Sequence, residues 1–404
     1  MRKVSVWIAA SIFAISVLFV GCNDNNDDGP GSTTVAEDKE NIQASFDRIK
    51  NILQKFHDGS LYRFAEEFID YHEEYVESYS SFYYYVGDGN GDYTLHLNYN
   101  AGEYEYEYEY TPGTGDYAHN SYGYYDDVIS DFATLLSDKL QDVIDLDDIE
   151  ENGRFNFASF AGQYTWDNSR KEWNKTSHNT ILALFPSSEN GATNNCELGI
   201  TEYTDKACDI EGETIYLPTK VSASFKKDAV KLASVDVTAD YTNYGIPKQA
   251  TAKVYAKPVN IEAALIQESA SKYSASLSVA DEDNQDNNLS ISCTATLSNG
   301  ISNYTDLDDC ELNNLRVAIA QSDLTVNGSV DIKTLNNINE PSVTDINNCI
   351  SFEVLYRNQI IGTLKVEEVG DEVYLFIIYK DGTKENTSIY YDSFIEDIES
   401  IFEK

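Results

Sequence analysis

Two short stretches that form a weak internal repeat indicate the fold of this chain, Val221-Ser222-Ala223-Ser224-Phe225 and Tyr273-Ser274-Ala275-Ser276-Leu277. In both, serine alternates with another residue type, which is the period of a β-strand with one face buried. A turn sequence follows each copy, Asn243-Tyr244-Gly245-Ile246 in the first and Asn299-Gly300-Ile301 in the second. Each copy therefore predicts a hairpin, and two repeated hairpins joined through 248–265 predict a long meander of antiparallel strands.

The period of two extends from Phe155 to the end of the chain, with turn signals at close intervals. Ser, Thr and Ala dominate one face of the repeated strands, so we expect one side of the sheet to be wet or covered only in part. Further hairpins are predicted around Asp167-Asn168-Ser169-Arg170, Asn327-Gly328, Arg357-Asn358 and Asp381-Gly382. A short amphipathic helix containing Phe394 and Ile401 should end the chain and dock on the sheet.

The region from Glu37 to about Asn152 has a helical period instead. Apolar residues from Ile42 to Phe56 predict one helix, Asp58-Gly59 breaks the pattern, and Leu61 to Tyr75 predict a second that packs antiparallel to the first. A third helix is predicted from Val128 to Ile144, with acidic residues on its solvated face.

A tyrosine-rich insert separates the second and third helices. Its last segment, Glu103 to Tyr110, alternates strictly and predicts a strand with glutamates on one face and Tyr104, Tyr106, Tyr108 and Tyr110 on the other. The tyrosines are candidate binding residues, because flat aromatic faces stack on sugars while carboxylates bond hydroxyl groups. The alternative, which we favour, is that the tyrosines pack on the flanking helices and the glutamates keep an edge strand soluble.

The first residues have the layout of a secretory signal, since Arg2 and Lys3 precede a mostly apolar run from Val4 to Val20. That run is slightly short for a membrane span, so we expect a cleaved signal. Its end, Leu18-Phe19-Val20-Gly21-Cys22, resembles the lipobox of bacterial lipoproteins, with Phe19 where Leu is usual. The resemblance implies that Cys22 is the lipid attachment site, and two or more acyl chains anchor a protein stably.

The acidic run after Cys22 resembles the export signal of surface lipoproteins of the Bacteroidetes. It implies that Asp24, Asp27 and Asp28 direct the protein to the outer face of the outer membrane. The alternative is a solvated tether, since residues 23–34 are rich in Asn, Asp, Gly and Ser, and both can be true together. Residues 162–301, with Tyr164-Thr165-Trp166 and Phe185-Pro186-Ser187-Ser188-Glu189, are also similar to a group of uncharacterised Bacteroidetes lipoproteins. That group implies a location and no catalytic residue.

The net charge of the protein limits the classes of ligand and partner that it can bind. The formal net charge is −41, and removal of residues 1–21 with Arg2 and Lys3 lowers it to −43. Such a field repels nucleic acid and anionic lipid head groups, and leaves cations, basic partners or neutral glycans as ligands. With 42% hydrophobic and 12% aromatic residues, the composition is that of a folded globular protein.

The other cysteines allow several arrangements. Cys196 with Cys208, and Cys293 with Cys310, are near enough in sequence to close short loops and would leave Cys349 over, but spacing does not fix connectivity. A zinc site is the other interpretation, and neither a CxxC pair nor a paired His spacing supports it.

The chemical motifs are weak. Ser224-Phe225-Lys226-Lys227 and Ser269-Ala270-Ser271-Lys272 match SxxK but lie in or beside predicted strands, where the serine cannot open a helix. The run from Asp88 to Asp92 imitates a calcium loop, but Tyr93 replaces the required glycine and Tyr99 the bidentate glutamate, which leaves only a looser calcium site open. Carboxylate pairs suited to glycoside hydrolysis can be chosen in many ways among 69 acidic residues, so none is specified.

The sequence thus predicts an α+β chain: an N-terminal helical region with a Tyr-rich β-hairpin, a large antiparallel β-meander and a short C-terminal helix. We divide it into a signal peptide (1–21), an acidic tether (22–36), a helical domain with the hairpin insert (37–152) and an antiparallel β domain (153–404). The predicted function is that of a non-enzymatic, membrane-anchored surface lipoprotein that binds a glycan or a protein, without metal, cofactor or nucleic acid.

Two alternatives stay open. One is a half-barrel carrier of an apolar ligand, which needs a continuous apolar concave face. The other is a glycan hydrolase, which needs two carboxylates converging in a cleft, whereas the binding protein needs an exposed aromatic patch.

Overall fold

The structure is a computed structural model that describes residues 33–70, 128–144, 153–188, 191–284, 288–303, 306, 310–370, 372–390, 394 and 401. It also describes the backbone of strands 82–87, 93–98, 104–110 and 117–123. The helices are α1 (Val35–His57), α2 (Ser60–Asp70), α3 (Val128–Gln141), α4 (Phe157–Phe160), α5 (Ile332–Asn336) and α6 (Val343–Cys349).

The N-terminal helices begin and end where local chemistry favours it. Thr34 caps α1, since its hydroxyl accepts from the Glu37 amide and the Glu37 carboxylate accepts from the Thr34 amide at 2.5 Å. The break between α1 and α2 brings Gly59 against the backbone of residues 257–258, where a Cβ would lie 2.7 Å from the Lys257 carbonyl oxygen. Only glycine fits there without displacement.

The tyrosine-rich insert forms two separate hairpins. Strand β1 (Phe82–Gly87) pairs antiparallel with β2 (Tyr93–Asn98), and β3 (Tyr104–Tyr110) pairs antiparallel with β4 (Tyr117–Gly123). The predicted Tyr-Glu strand is therefore confirmed as a strand.

The rest of the chain builds one sheet of sixteen strands. In chain order these are β5 (Gly162–Asp167), β6 (Glu172–Thr176), β7 (Ile181–Phe185), β8 (Cys196–Ile210), β9 (Glu213–Lys227), β10 (Val230–Tyr241), β11 (Pro247–Ala256), β12 (Val259–Ser269), β13 (Lys272–Asp281), β14 (Asn288–Leu297), β15 (Leu312–Gln321), β16 (Leu324–Asp331), β17 (Ile350–Tyr356), β18 (Gln359–Val369), β19 (Glu372–Tyr379) and β20 (Lys384–Asn386). From β7 to β20 every strand pairs antiparallel with its sequence neighbour, and only β5 with β7 is parallel. The predicted α+β fold with a large β-meander is confirmed.

The two faces of this sheet differ in polarity. Directly opposed residues of antiparallel strands share a face, so the register can be followed from β9 to β17 in one row: Val221, Val237, Ala252, Ala263, Leu277, Ile291, Ile319, Val326 and Val354. The neighbouring row points the other way: Lys220, Thr238, Thr251, Ala264, Ser276, Ser292, Ala318, Asn327 and Glu353. We call the first the apolar face and the second the polar face, and the expected wet side is the polar face.

The helices cover the apolar face at two places. At one, α1 packs over β16 to β19 through Ile42, Phe46 and Ile49, together with residues of α5 and α6, and we call this the C-terminal core. At the other, α2 and α3 pack over β7 to β10, where Phe64 and Phe68 meet Phe132 at ring distances of 5.8 and 5.7 Å. We call this the N-terminal core.

Two predictions about local structure need correction. Helix α1 lies mainly in the C-terminal core and reaches the N-terminal core only at its end, through Phe56, so the helix pair with the more extensive packing is α2 with α3. Asn327-Gly328 lies inside β16 and makes no turn; the turn is at Ser322-Asp323, with Ser322 at φ 51°. The reason is the Phe352 ring on β17, which lies where a Cβ on Gly328 would be, 1.9 Å from Cδ1.

Other predicted features are confirmed. Arg357 and Asn358 form the turn between β17 and β18 with positive φ, and the β19–β20 turn contains Asp381-Gly382. The end of the chain is helical at Phe394 and Ile401, which are 4% and 3% exposed. Phe394 lies in the C-terminal core, where its ring packs edge-on against Phe46 at 5.2 Å.

Candidate functional site

The sequence predicted two sets of site residues, the lipid attachment site at Cys22 and the four tyrosines of the Tyr-Glu strand. Cys22 and the acidic run after it lie outside the described residues, as does the Asp88–Asp92 run. Tyr104, Tyr106, Tyr108 and Tyr110 lie on β3, whose backbone pairs with β4 from Tyr104 opposite Gly123 to Tyr110 opposite Tyr117. Their side chains lie outside the described part of the chain, so the choice between a sugar platform and packing stays a prediction.

The strongest site among the described residues is one that the sequence did not name. Between the two cores, strands β10 to β14 present the apolar face through sixteen residues that we call the floor. They are Val235, Val237, Ala239, Ala250, Ala252, Val254, Ile261, Ala263, Leu265, Ala275, Leu277, Val279, Leu289, Ile291, Cys293 and Ala295.

None of the floor residues is fully buried. Fifteen are half-buried, and Leu277 at the centre is 37% exposed. Five strands about 4.8 Å apart, each with three or four residues on this face about 6.8 Å apart, cover roughly 400 Å². This footprint is comparable with the largest apolar patch on a typical monomer, and such patches are often functional.

The opposite face of the same strands can be compared directly with the floor. There Asp236, Lys253 and Glu262 form one row, with Lys253 Nζ 3.2 Å from a Glu262 carboxylate oxygen. All three are exposed. The difference between the faces follows from the alternation of each strand and does not reflect a generally apolar composition.

Helix α1 closes one end of the floor. Lys55 near the end of α1 forms an ion pair with Asp281 at the end of β13, whose side chain is 1% exposed. Val259, which opposes Asp281 on β12, is 4% exposed. The floor thus passes into fully buried residues at this end.

The other end of the floor opens into an apolar cavity of about 370 Å³. Its lining is Gly245, Ile246, Pro247, Tyr273, Ala295, Leu297 and Ile301. The Tyr273 hydroxyl is held by Gln267, whose amide nitrogen lies 2.6 Å away, and burial raises the pKa of Tyr273, so the phenol stays neutral. We call this the end cavity.

The internal repeat explains how the end cavity arises. Ile246 and Ile301 occupy equivalent places in the two repeated turn sequences, and they are 3% and 7% exposed. The repeat therefore brings two equivalent loops to one cavity. It was the one sequence signal that could have located the site, because the strands between the copies place both loops at the same end of the sheet.

The chemistry that the floor offers is limited. Its sixteen residues include one ionisable side chain, the Cys293 thiol, and no carboxylate, amine or imidazole. Among the residues that the structure describes, no group of three His, Cys, Asp or Glu is placed to hold a metal ion. The arrangement can hold an apolar group by contact and offers no charge to it.

The cysteines do not form the loops that their spacing allowed. The five cysteines after Cys22 are all free thiols. Cys196 and Cys208 lie on the same extended strand, β8, so their Cα atoms are about 40 Å apart, far beyond the reach of a disulfide. Burial raises the pKa of Cys196 to about 12, which keeps it a thiol.

Comparisons with known proteins do not assign this chain to a family. The chain has no significant match among protein-family models, curated proteins or solved structures. Within the described residues, no helix is long and apolar enough to cross a membrane.

Proposed function

We propose that this protein is a lipid-anchored binding protein that holds an extended apolar chain, such as the acyl chain of a neutral lipid, on the floor. The single observation that carries the proposal is the continuous apolar face of β10 to β14, left half-exposed between two cores. A continuous apolar face is one part of what the carrier alternative needs.

The size of the floor residues supports a chain-like ligand. The central row contains Ala252 and Ala263 beside Leu277, so the surface lies low between the larger side chains of the two cores. A chain that lays about ten methylene groups on this surface, with half of each group's area buried, gains about 4 kcal/mol. The end cavity adds an apolar recess for one end of the chain.

Charge restricts the head group of such a ligand. The net charge of −41 disfavours phosphate or carboxylate head groups near the protein. A neutral or cationic amphiphile fits the field, whereas an anionic phospholipid does not.

The proposed anchor is Cys22. A protein held at a membrane by acyl chains stays next to the source of its ligand, and two or more chains hold it there stably. Cys22→Ser should abolish incorporation of a fatty-acid analogue, and equal label on wild type and variant would rule out the anchor. Replacement of Asp24, Asp27 and Asp28 by Ala should hide the protein from protease added to intact cells while the lipid label persists.

The binding proposal can be tested with two neighbouring alanines. Ala263 lies on the apolar face and Ala264 on the polar face of the same strand, β12. Ala263→Trp fills the floor and should weaken binding of a neutral probe, an NBD-labelled monoacylglycerol, at least tenfold, whereas Ala264→Trp should leave the affinity unchanged. Binding is measured by fluorescence titration, with melting temperatures as a check on folding.

Two outcomes contradict the proposal. One is that the wild-type protein does not bind the probe at micromolar concentration. The other is that the two tryptophan variants bind it equally well at equal melting temperatures.

A further inference from the structure

A second, larger cavity of about 790 Å³ lies outside the floor, between the segment before α4 and the long hairpin of β8 and β9. Its lining combines aromatic rings with polar groups: Arg154, Phe155, Asn156, Phe157, Ala158, Ser159, Tyr203, Thr204, Asp205 and Tyr216. Its volume is within the range of small-molecule sites.

The polar centre of this cavity is a fixed ion pair. Arg154 donates from Nε to one Asp205 oxygen at 2.9 Å and from Nη2 to the other at 2.8 Å. The Asp205 side chain is only 4% exposed, whereas that of Arg154 is 53% exposed. The guanidinium also lies over the Tyr216 ring, 4.7 Å from its centroid.

This geometry leaves hydrogen-bond donors of Arg154 accessible. The pair uses two of the five N–H groups of the guanidinium, which leaves three on a side chain that is 53% exposed, whereas the Asp205 carboxylate is buried behind it. The hydrogen bonds to Asp205 raise the pKa of Arg154, so the guanidinium keeps its positive charge beside the carboxylate. It can therefore donate to a ligand from a position where Asp205 lies directly against it.

Aromatic rings form the walls beside the pair. Phe155 packs edge-on against Tyr203 with centroids 4.7 Å apart, and both rings are half-buried. Burial raises the pKa of Tyr203, so its hydroxyl remains protonated. The rim carries the exposed polar residues Asn156, Ser159 and Thr204.

We propose that this cavity binds a neutral saccharide. A sugar ring has C–H faces that pack on aromatic rings and hydroxyl groups that both donate and accept, which matches the Phe155, Tyr203 and Tyr216 rings around the Arg154–Asp205 pair. An anionic ligand is disfavoured because Asp205 already neutralises Arg154 and the whole chain is strongly acidic. The site is independent of the floor and of the proposed acyl ligand.

The test uses isothermal titration of the full chain with neutral oligosaccharides of glucose, galactose, mannose and N-acetylglucosamine. We expect at least one to bind at millimolar concentration or better. Arg154→Lys keeps the charge opposite Asp205 but loses the two-pronged geometry, and Tyr216→Ala removes the ring under the guanidinium. Each should weaken binding roughly tenfold or more.

The chain provides a matched control. Arg357 makes an ion pair with Asp323 at 2.9 Å and lies 5.3 Å from the Tyr356 ring centroid, on the β17 side of the sheet and away from the cavity. Arg357→Lys should leave saccharide binding unchanged. Arg154→Lys should also leave the melting temperature and the binding of the NBD-monoacylglycerol unchanged, which separates a saccharide site from a purely structural ion pair.

The proposal is overturned if none of the oligosaccharides binds at millimolar concentration. It is equally overturned if Arg154→Lys and Tyr216→Ala bind as tightly as Arg357→Lys. Failure of the acyl-probe experiment does not affect it, since the two sites share no residue.

Discussion

The C-terminal strands β15 to β19 and the central strands β10 to β14 belong to one sheet and share one alternation, yet their apolar faces differ in cover. In the C-terminal core Leu324, Val354 and Ile377 are each 0% exposed. On the floor no residue is fully buried, and Leu277 is 37% exposed. Alternation alone therefore specifies which way a side chain points and says nothing about what lies above it.

The sizes of the side chains differ between the two regions and account for the difference in cover. The C-terminal core uses Phe, Tyr, Leu and Ile against α1, α5 and α6, while six of the sixteen floor residues are alanine. Large side chains are needed where two layers must fill the space between them. Small ones suffice where a strand contacts only its neighbours, and they leave room for something that is not part of the chain.

The largest test of this difference removes apolar volume from each region. Ile377→Ala should lower the free energy of unfolding by about 2–5 kcal/mol, because it leaves a cavity in the C-terminal core. Leu277→Ala, on the same face, should lower it by about 1 kcal/mol or less, because much of that side chain is already in water. Urea unfolding measures both, and similar losses would show that the floor is covered as tightly as the core.

A second test adds volume instead. A Cβ on Gly328 would lie 1.9 Å from Phe352 Cδ1, so Gly328→Ala should cost about 1–3 kcal/mol through displacement of the buried ring. Ala263→Val adds two carbons to the half-exposed floor and should change stability by less than about 0.5 kcal/mol. A clear loss for Ala263→Val in thermal melts would mean that another part of the molecule already fills the space above the floor.

A third test concerns the polar contact that ties α1 to the C-terminal strands. Glu385 accepts from Lys39 at 2.6 Å, from Tyr390 at 2.6 Å and from Tyr379 at 2.8 Å. Burial alone would raise the pKa of Glu385, but the hydrogen bonds from Lys39, Tyr390 and Tyr379 outweigh it and hold the pKa below the ordinary value of 4.5. The folded state therefore favours the ionised carboxylate.

The sign of the pH effect follows from that shift. With the folded-state pKa below 4.5, the stabilisation is present above pH 4.5 and is lost as the pH falls through the folded-state pKa. Glu385→Gln should cost about 1–2 kcal/mol at pH 7, and the difference from wild type should shrink below pH 4.5. The exposed Glu353→Gln on the polar face serves as the control, and a Glu385→Gln difference that stays constant with pH would contradict the assignment.

Much of the sheet could be predicted because each strand carries its own alternation and each turn its own residues. Arg357-Asn358 shows this, since both residues adopt the positive φ of a turn. Asn327-Gly328 shows the limit, because its glycine is explained by a ring on the next strand, and cross-strand contacts are not visible in a local sequence window. The helix pairing failed for the same reason: α1 finds its partners in β16 to β19, at the far end of the chain.

The floor could not be predicted residue by residue. Its identity depends on the register of four successive strand pairings, and a slip of one residue in any of them would exchange Ala263 for Ala264. The composition of the repeat predicted a wet or partly covered face, which is the polar face, and it did not predict that part of the apolar face is only half-covered. The cavity around Arg154 and Asp205 could not be predicted for another reason, since Arg154, Asp205 and Tyr216 meet only after β8 and β9 have folded back on each other.

The order in which the strands pair also has a consequence for how the chain folds. From β8 onward each strand pairs with its immediate predecessor, so the sheet has many local contacts and can grow one hairpin at a time as the chain emerges. Helix α1 is made early, but the surface it covers is completed only with β16 to β19. Its apolar stripe must therefore wait for the last strands, and until they arrive it is exposed apolar surface of the kind that promotes aggregation.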